Sequence, residues 1–223
     1  MQDPGFVKDA FSKIADRYVL TNHVLSMGTD IVWRKRVGQI VMEWAPEDIL
    51  DVATGTGDLA LELQKVCYDA ELIASDFCPE MLAHASRRGV ENTQVVDAMN
   101  MPFDDNSCDV LTVAFGLRNM SDYSAALTEM RRVIRPGGHL LVLDFSQPEG
   151  LLKKPYTFYL NKILPIIAGK LTNEKEAYAY LAGSIGDFPS GRDMCDLIEA
   201  QGYTEARQEP LSGGIASIYT AQA

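Results

Sequence analysis

The chain has 223 residues, 47% of them apolar and 23% charged, which suits one globular domain and excludes disorder, a collagen-like repeat or a coiled coil. No apolar run approaches the roughly 20 residues that cross a bilayer, and Met1-Gln2-Asp3-Pro4-Gly5 lacks the opening of a secretion signal, so the expected location is the cytoplasm. A net charge of −11 argues against nucleic acid as a partner. Cys67, Cys78, Cys108 and Cys195, like His23, His84 and His139, are too scattered for a metal or redox pair, and no metal site is expected.

In chain order, apolar residues recur at helical spacing over 7–44 (Phe11, Ile14, Val24, Leu25, Ile31, Val32, Val37, Ile40, Val41), which predicts two or three helices capping the N-terminus. Short apolar runs at 49–52, 71–75, 93–96, 109–114 and 139–145 then alternate with helical stretches and read as strands of a parallel sheet covered by helices on both faces. The region 151–182 returns to helix, with Tyr156, Phe158, Tyr159, Ile163, Leu164, Ile166 and Ile167 forming an aromatic and aliphatic stretch. A last helix over 192–200 precedes 203–208 and 215–221, an expected antiparallel pair turning at Pro210-Leu211-Ser212-Gly213-Gly214. The whole is one domain, 1–223, with an N-terminal helical cap (1–46) and a helical insert (150–190).

The segment Asp51-Val52-Ala53-Thr54-Gly55-Thr56-Gly57-Asp58-Leu59-Ala60 runs from a strand end into a helix start, where glycines let backbone amides approach a ligand. Asp76 follows Gly57 by 19 residues, at the end of the second strand, where a carboxylate accepts both hydroxyls of a ribose. The same pattern serves dinucleotide enzymes, and charge separates the two. A pyrophosphate at this helix start would meet Asp51 and Asp58. S-Adenosylmethionine (SAM), with an ammonium, a sulfonium and a single carboxylate, suits those acids. Asp97, ending the third strand, is expected to accept the adenine amino group or merely to cap a turn, and Phe77 with Met81 to cover the nucleoside.

On these residues and on longer motifs, the whole chain resembles the UbiE/MenG family of quinone C-methyltransferases. An N-terminal motif of that family is matched at Tyr18, Asn22, Leu25, Ser26 and Trp33, with departures at Val19, Thr21 and Asp30, and Arg34 is also as the family has it. A second motif is matched from Arg132-Val133-Ile134-Arg135-Pro136-Gly137-Gly138 to Leu143-Asp144-Phe145-Ser146, with Asp144 standing for a glutamate. Phe115-Gly116-Leu117-Arg118-Asn119 and the aromatic insert are similar to the corresponding family segments. The resemblance implies a Rossmann-like SAM-dependent methyltransferase fold, with SAM held at Thr56, Asp76 and the Asp97-Ala98 pair, and a serine expected where Ala114 stands.

It also implies a prenylated quinol as acceptor, and the Asn22-His23…Asp30 form resembles the menaquinone branches, hence demethylmenaquinol, with a benzoquinol as the alternative ring. Carbon methylation needs an electron-rich phenolate aligned with the methyl donor more than it needs acid–base machinery. Arg118, leaving the fourth strand, is placed either to steady that phenolate or to pair structurally with an acid. Tyr159 and His23, with Tyr18 and Tyr156, are candidates for stacking on the quinol. The stretch 156–169 reads either as a groove for the prenyl tail, with peripheral contact at the inner face of the membrane, or as a homodimer surface. A small-molecule O-methyltransferase and a SAM-binding regulatory subunit are the rival functions.

Overall fold

The structure, a computed structural model, describes residues 28–148 and 188–223. After helix α1 (Thr29–Trp44) the chain runs β1 (Asp48–Val52), α2 (Asp58–Val66), β2 (Glu71–Asp76), α3 (Pro79–Arg87), β3 (Thr93–Val95) and β4 (Cys108–Ala114). A 3₁₀ turn (Leu117–Asn119), α4 (Tyr123–Val133) and β5 (Ile134–Phe145) follow, and α5 (Arg192–Ala200), β6 (Thr204–Leu211) and β7 (Ala216–Gln222) complete the described chain.

The strands form one sheet in the order β3-β2-β1-β4-β5-β7-β6. Its first five strands are parallel, and β7 inserts antiparallel between β5 and β6. The alternation of strand and helix in the sequence dictates this arrangement: a parallel strand must be reached by a crossover, and the crossover helices cover the faces. Along β5, Leu140 and Val142 pack on one face with Leu127, Met130 and Tyr219. Leu141 and Leu143 pack on the other with Trp33, Val37 and Ile218. This two-residue alternation explains why the run 140–143 is apolar throughout.

Two expected boundaries move. β5 begins at Ile134, because Cys108 pairs with Ile134 ahead of a bulge that re-registers Val110 on His139. The Pro136-Gly137-Gly138 run, which the expected strand 139–145 left out, lies inside the strand; a Cβ at Gly138 would stand 2.5 Å from the Asp109 carbonyl oxygen. β6 continues through Pro210 and Leu211, which is tolerated because β6 is the outer strand and the missing N–H of Pro210 need face no neighbour.

In α1 the face made by Trp33, Val37, Ile40 and Val41 is buried, whereas Ile31 and Val32, expected on the same apolar surface, are exposed. Residues 33, 37, 40 and 41 share a stripe at 3.6 residues per turn, and 31 and 32 fall off it. The helix is fastened to the β6–β7 hairpin by Trp33 Nε1, which donates to Ser212 Oγ at 2.9 Å, and by a two-pronged Arg36–Glu209 pair at 2.8 and 2.9 Å. The remaining predicted N-terminal helices and the insert lie outside the described residues.

Candidate active site

A cavity of about 990 Å³, open mouth included, lies at the C-terminal ends of β1, β2 and β4. It falls where the strand order reverses between β1 and β4, the crevice in which open α/β sheets bind ligands. Of the residues singled out from sequence, Gly55, Asp76, Phe77, Asp97, Ala98 and Ala114 line it. Met81 joins them, as do Phe115, Gly116 and Asn119 of the loop after β4, and so do Met99, Met120 and Ser121, which carried no signal in the sequence.

Asp76 is the polar centre. Its Oδ2 accepts the Gly55 N–H and its Oδ1 the Cys78 N–H, both at 2.8 Å. Burial raises its pKa, and the amides oppose that rise. The carboxylate still lines the cavity, where it can accept from a ribose hydroxyl. Asp97 Oδ1 accepts the Met99 N–H at 2.9 Å, which fixes the turn expected of it while its side chain still lines the cavity.

The exits of β1 and β4 are held in uncommon backbone conformations: Ala53 has φ 52° and Phe115 φ 58°. They approach so closely that a Cβ on Gly116 would lie 2.5 Å from the Cβ of Ala53. Such local strain persists only where the surroundings enforce it, and here it shapes the cavity wall. Behind that wall Asp51 is fully buried; Thr54 Oγ1 and Thr112 Oγ1 each donate to it at 2.6 Å. Burial pushes its carboxyl up to about 6 against those two hydrogen bonds.

Thr56, Gly57 and Asp58 are not on the cavity surface. The Asp58 carboxylate, which the sequence sets against a phosphate, is instead compensated by Arg88, whose Nη2 donates to it at 2.7 Å. This corrects the electrostatic expectation for Asp58: an arginine 30 residues away reaches it only because β2 and α3 fold back along the glycine loop.

Arg118 is buried, and its Nη1 donates to Asp144 Oδ1 at 2.5 Å and to the Phe115 carbonyl oxygen at 2.8 Å. Its guanidinium carbon lies 5.1 Å from the centre of the Phe145 ring and 5.9 Å from that of Phe115. Of the two readings left open for this residue, the described geometry contains the pairing with an acid, and Arg118 stands one layer behind the cavity wall. Burial raises the Asp144 pKa while Arg118 opposes it. His23 and Tyr159 lie outside the described residues.

A mostly parallel sheet of this order, with a ribose-ready carboxylate in the crevice and apolar cover for a nucleoside, defines the class of SAM-dependent methyltransferases. The residues present fit SAM: the Asp76 carboxylate, a left-handed glycine loop and an apolar cavity wall with a few polar groups. Solved structures agree on the fold. A SAM-dependent methyltransferase from Thermotoga maritima superposes with a TM-score of 0.69 at 18% identity, covering 97% of this chain and 99% of that one. The CurJ carbon methyltransferase superposes at 0.65 with 15% identity, covering 85% of this chain and 54% of that one.

Residues 2–223 match the ubiE/COQ5 methyltransferase family, and the chain belongs to it. It is 43% identical over 215 residues to a demethylmenaquinone methyltransferase of Thermus thermophilus, covering 94% of this chain and 97% of that protein. It is 41% identical to the ubiquinone/menaquinone biosynthesis C-methyltransferase UbiE of Bdellovibrio bacteriovorus, covering 97% and 95%.

Proposed function

We propose that this enzyme transfers a methyl group from SAM to a ring carbon of a prenylated demethylmenaquinol, yielding the menaquinol. The observation that carries the reading is the 43% identity to the Thermus thermophilus demethylmenaquinone methyltransferase, spread over nearly the whole of both chains. Such cover includes the acceptor-side segments as well as the glycine loop that Rossmann-like methyltransferases share.

SAM supplies an electrophilic methyl group. The chain's own groups hold the donor and exclude water: Asp76 takes the ribose hydroxyls, Asp97 and the Ala98 backbone the adenine, Phe77 and Met81 its faces, and the loop at Gly55 to Gly57 the carboxylate end. Cationic charge is lost as the methyl moves, so an enclosed and weakly polar wall favours the transfer. Arg118 is proposed to act on the acceptor as a fixed cation behind Phe115, steadying the phenolate, with His23 and Tyr159 at the quinol ring. The tail enters along 156–169, and the enzyme works as a cytoplasmic homodimer in peripheral contact with the inner face of the membrane. No helix among the described residues is long and apolar enough to cross one.

A benzoquinol precursor is the second reading, favoured by the 41% identity to a UbiE protein whose name spans ubiquinone and menaquinone. Turnover with labelled SAM and short-tailed substrates of both ring types tests the choice. Higher kcat/KM on the naphthoquinol is expected, and a preference for the benzoquinol would replace the first reading with the second.

A further inference from the structure

We propose that Met99 and Met120, in the wall of the donor cavity, are a sulfoxidation site: a hydroperoxide converts their thioethers to sulfoxides and so weakens binding of the methyl donor, while bound donor shields them. The inference rests on the donor reading above.

Met81, Met99 and Met120 line the cavity together with Val96, Ala98 and Phe115, so the surface there is largely apolar and carries polarizable sulfur. The three methionines differ in access. Met81 is 2% exposed, whereas Met99 and Met120 are half-buried, packed on the core while also lining the cavity. Ser121 Oγ donates to Met99 Sδ at 3.4 Å, which sets that sulfur at the junction of the loop after β3 and the loop after the 3₁₀ turn. A reagent small enough to enter the cavity therefore reaches these two before Met101, Met130 or Met194, which are 4%, 0% and 0% exposed and line no part of it.

Oxygen transfer from a hydroperoxide needs no group from the protein. The sulfur lone pair attacks a peroxide oxygen, the O–O bond breaks as the S–O bond forms, sulfur is oxidised by two electrons, and the remainder leaves as water or an alcohol. The quinol product of the proposed reaction is a source of the oxidant: on passing two electrons and two protons to dioxygen it becomes a quinone and leaves hydrogen peroxide. The sulfoxide puts a strong dipole where a flexible apolar contact stood. Ser121 offers one hydroxyl to the new oxygen on Met99, and the side chains of Val96, Ala98 and Phe115 offer none. Covering that dipole with a nucleoside strips its water without replacing it, which opposes binding.

The test treats the full chain with graded hydrogen peroxide, with and without saturating S-adenosylhomocysteine. Dithiothreitol then reverses disulfides and sulfenic acids at Cys78 and the other thiols. Peptide mass spectrometry maps the oxidation, and calorimetry measures SAM affinity. Met42, 49% exposed and away from the cavity, should oxidise first, followed by Met99 and Met120, with Met130 and Met194 far behind. The Kd for SAM should stay constant at doses that convert Met42 alone and rise by about tenfold once Met99 and Met120 are converted. S-Adenosylhomocysteine should slow oxidation at those two and leave Met42 unprotected. A chain carrying Met99→Leu and Met120→Leu, compared with its own untreated state, should lose less than about twofold in SAM affinity at the same dose.

Unchanged affinity after both are converted, conversion no faster than that of Met130, or equal protection of Met42 would each overturn the site. An equal loss in the double leucine variant would assign the effect to another residue and overturn it too, as would melting curves showing that the oxidised protein has unfolded at the assay temperature. Untreated wild-type protein that fails to bind SAM removes the donor reading instead, before any oxidant is added.

Discussion

Replacing Asp51 by asparagine should stabilise the ligand-free enzyme, and more so as pH rises. The carboxyl is 1% exposed and ionises at about 6 rather than at its ordinary 3.8, chiefly because burial disfavours the charged form. A folded-state pKa above the unfolded one means that the native protein holds the proton more tightly. The resulting stability is present below the unfolded value and is lost as pH rises through about 6. The two-unit gap corresponds to about 3 kcal/mol of destabilisation at pH 7.5 and about 1 kcal/mol at pH 4.5. Asparagine carries no charge to bury, and it offers an oxygen to one threonine hydroxyl and an N–H to the other after that hydroxyl rotates. At roughly 2–4 °C per kcal/mol for a chain of this size, Asp51→Asn should melt about 6–12 °C higher than wild type at pH 7.5, and only about 2–4 °C higher at pH 4.5. The positive charges of SAM favour ionised Asp51, so wild type should also bind SAM more tightly at pH 7.5 than at pH 5, while the variant shows little such dependence. Thermal melts and titrations at both pH values check this. A melting gap that does not change with pH would refute the burial argument.

Three further outcomes are expected. Asp76→Ala should weaken SAM binding by about 1–3 kcal/mol by calorimetry, since the ribose hydroxyls lose a charged acceptor; unchanged affinity would remove Asp76 from the site. Arg118→Ala should lower kcat by on the order of tenfold to a thousandfold with little change in SAM affinity if the cation acts on the acceptor. A parallel loss of SAM affinity would instead show that Arg118 serves the Phe115 wall, and Asp144→Asn, which strands a buried guanidinium, should cost about 3–5 kcal/mol in denaturant unfolding. Gly57→Ala, forced into φ 81° with its Cβ inside Val90, should lose both stability and SAM affinity; a variant matching wild type in both would show that the loop has slack.

The parallel sheet was legible because each central strand is buried on both faces and reads as a short, mostly apolar run, while the crossover helices carry a different period. Asp76 was legible for a related reason, its fixed distance from the glycine loop being set by one βαβ unit. The misjudged features depend on tertiary neighbours. Pro136-Gly137-Gly138 has the chemistry of a turn, yet Gly137 N–H bonds to the Ala223 carbonyl and Ala223 N–H to the Gly138 carbonyl, so the chain's last residue holds that run in the sheet. Asp58 reads as a bare carboxylate, because nothing in a linear pattern reports its contact with Arg88, 30 residues away. Ile31 and Val32 look like core and are exposed, since hydrophobic type constrains burial in one direction only.

The most direct test of the account is the fate of the methyl group. Purified enzyme, SAM labelled at its methyl carbon and a short-tailed demethylmenaquinol are incubated under reducing conditions, and the product is analysed by mass spectrometry and carbon NMR. The account predicts one labelled methyl on the quinone ring carbon, at the chemical shift of an aryl methyl, retained when the product is oxidised to the quinone. Label appearing as a methoxy group, or SAM bound without any turnover, would contradict it.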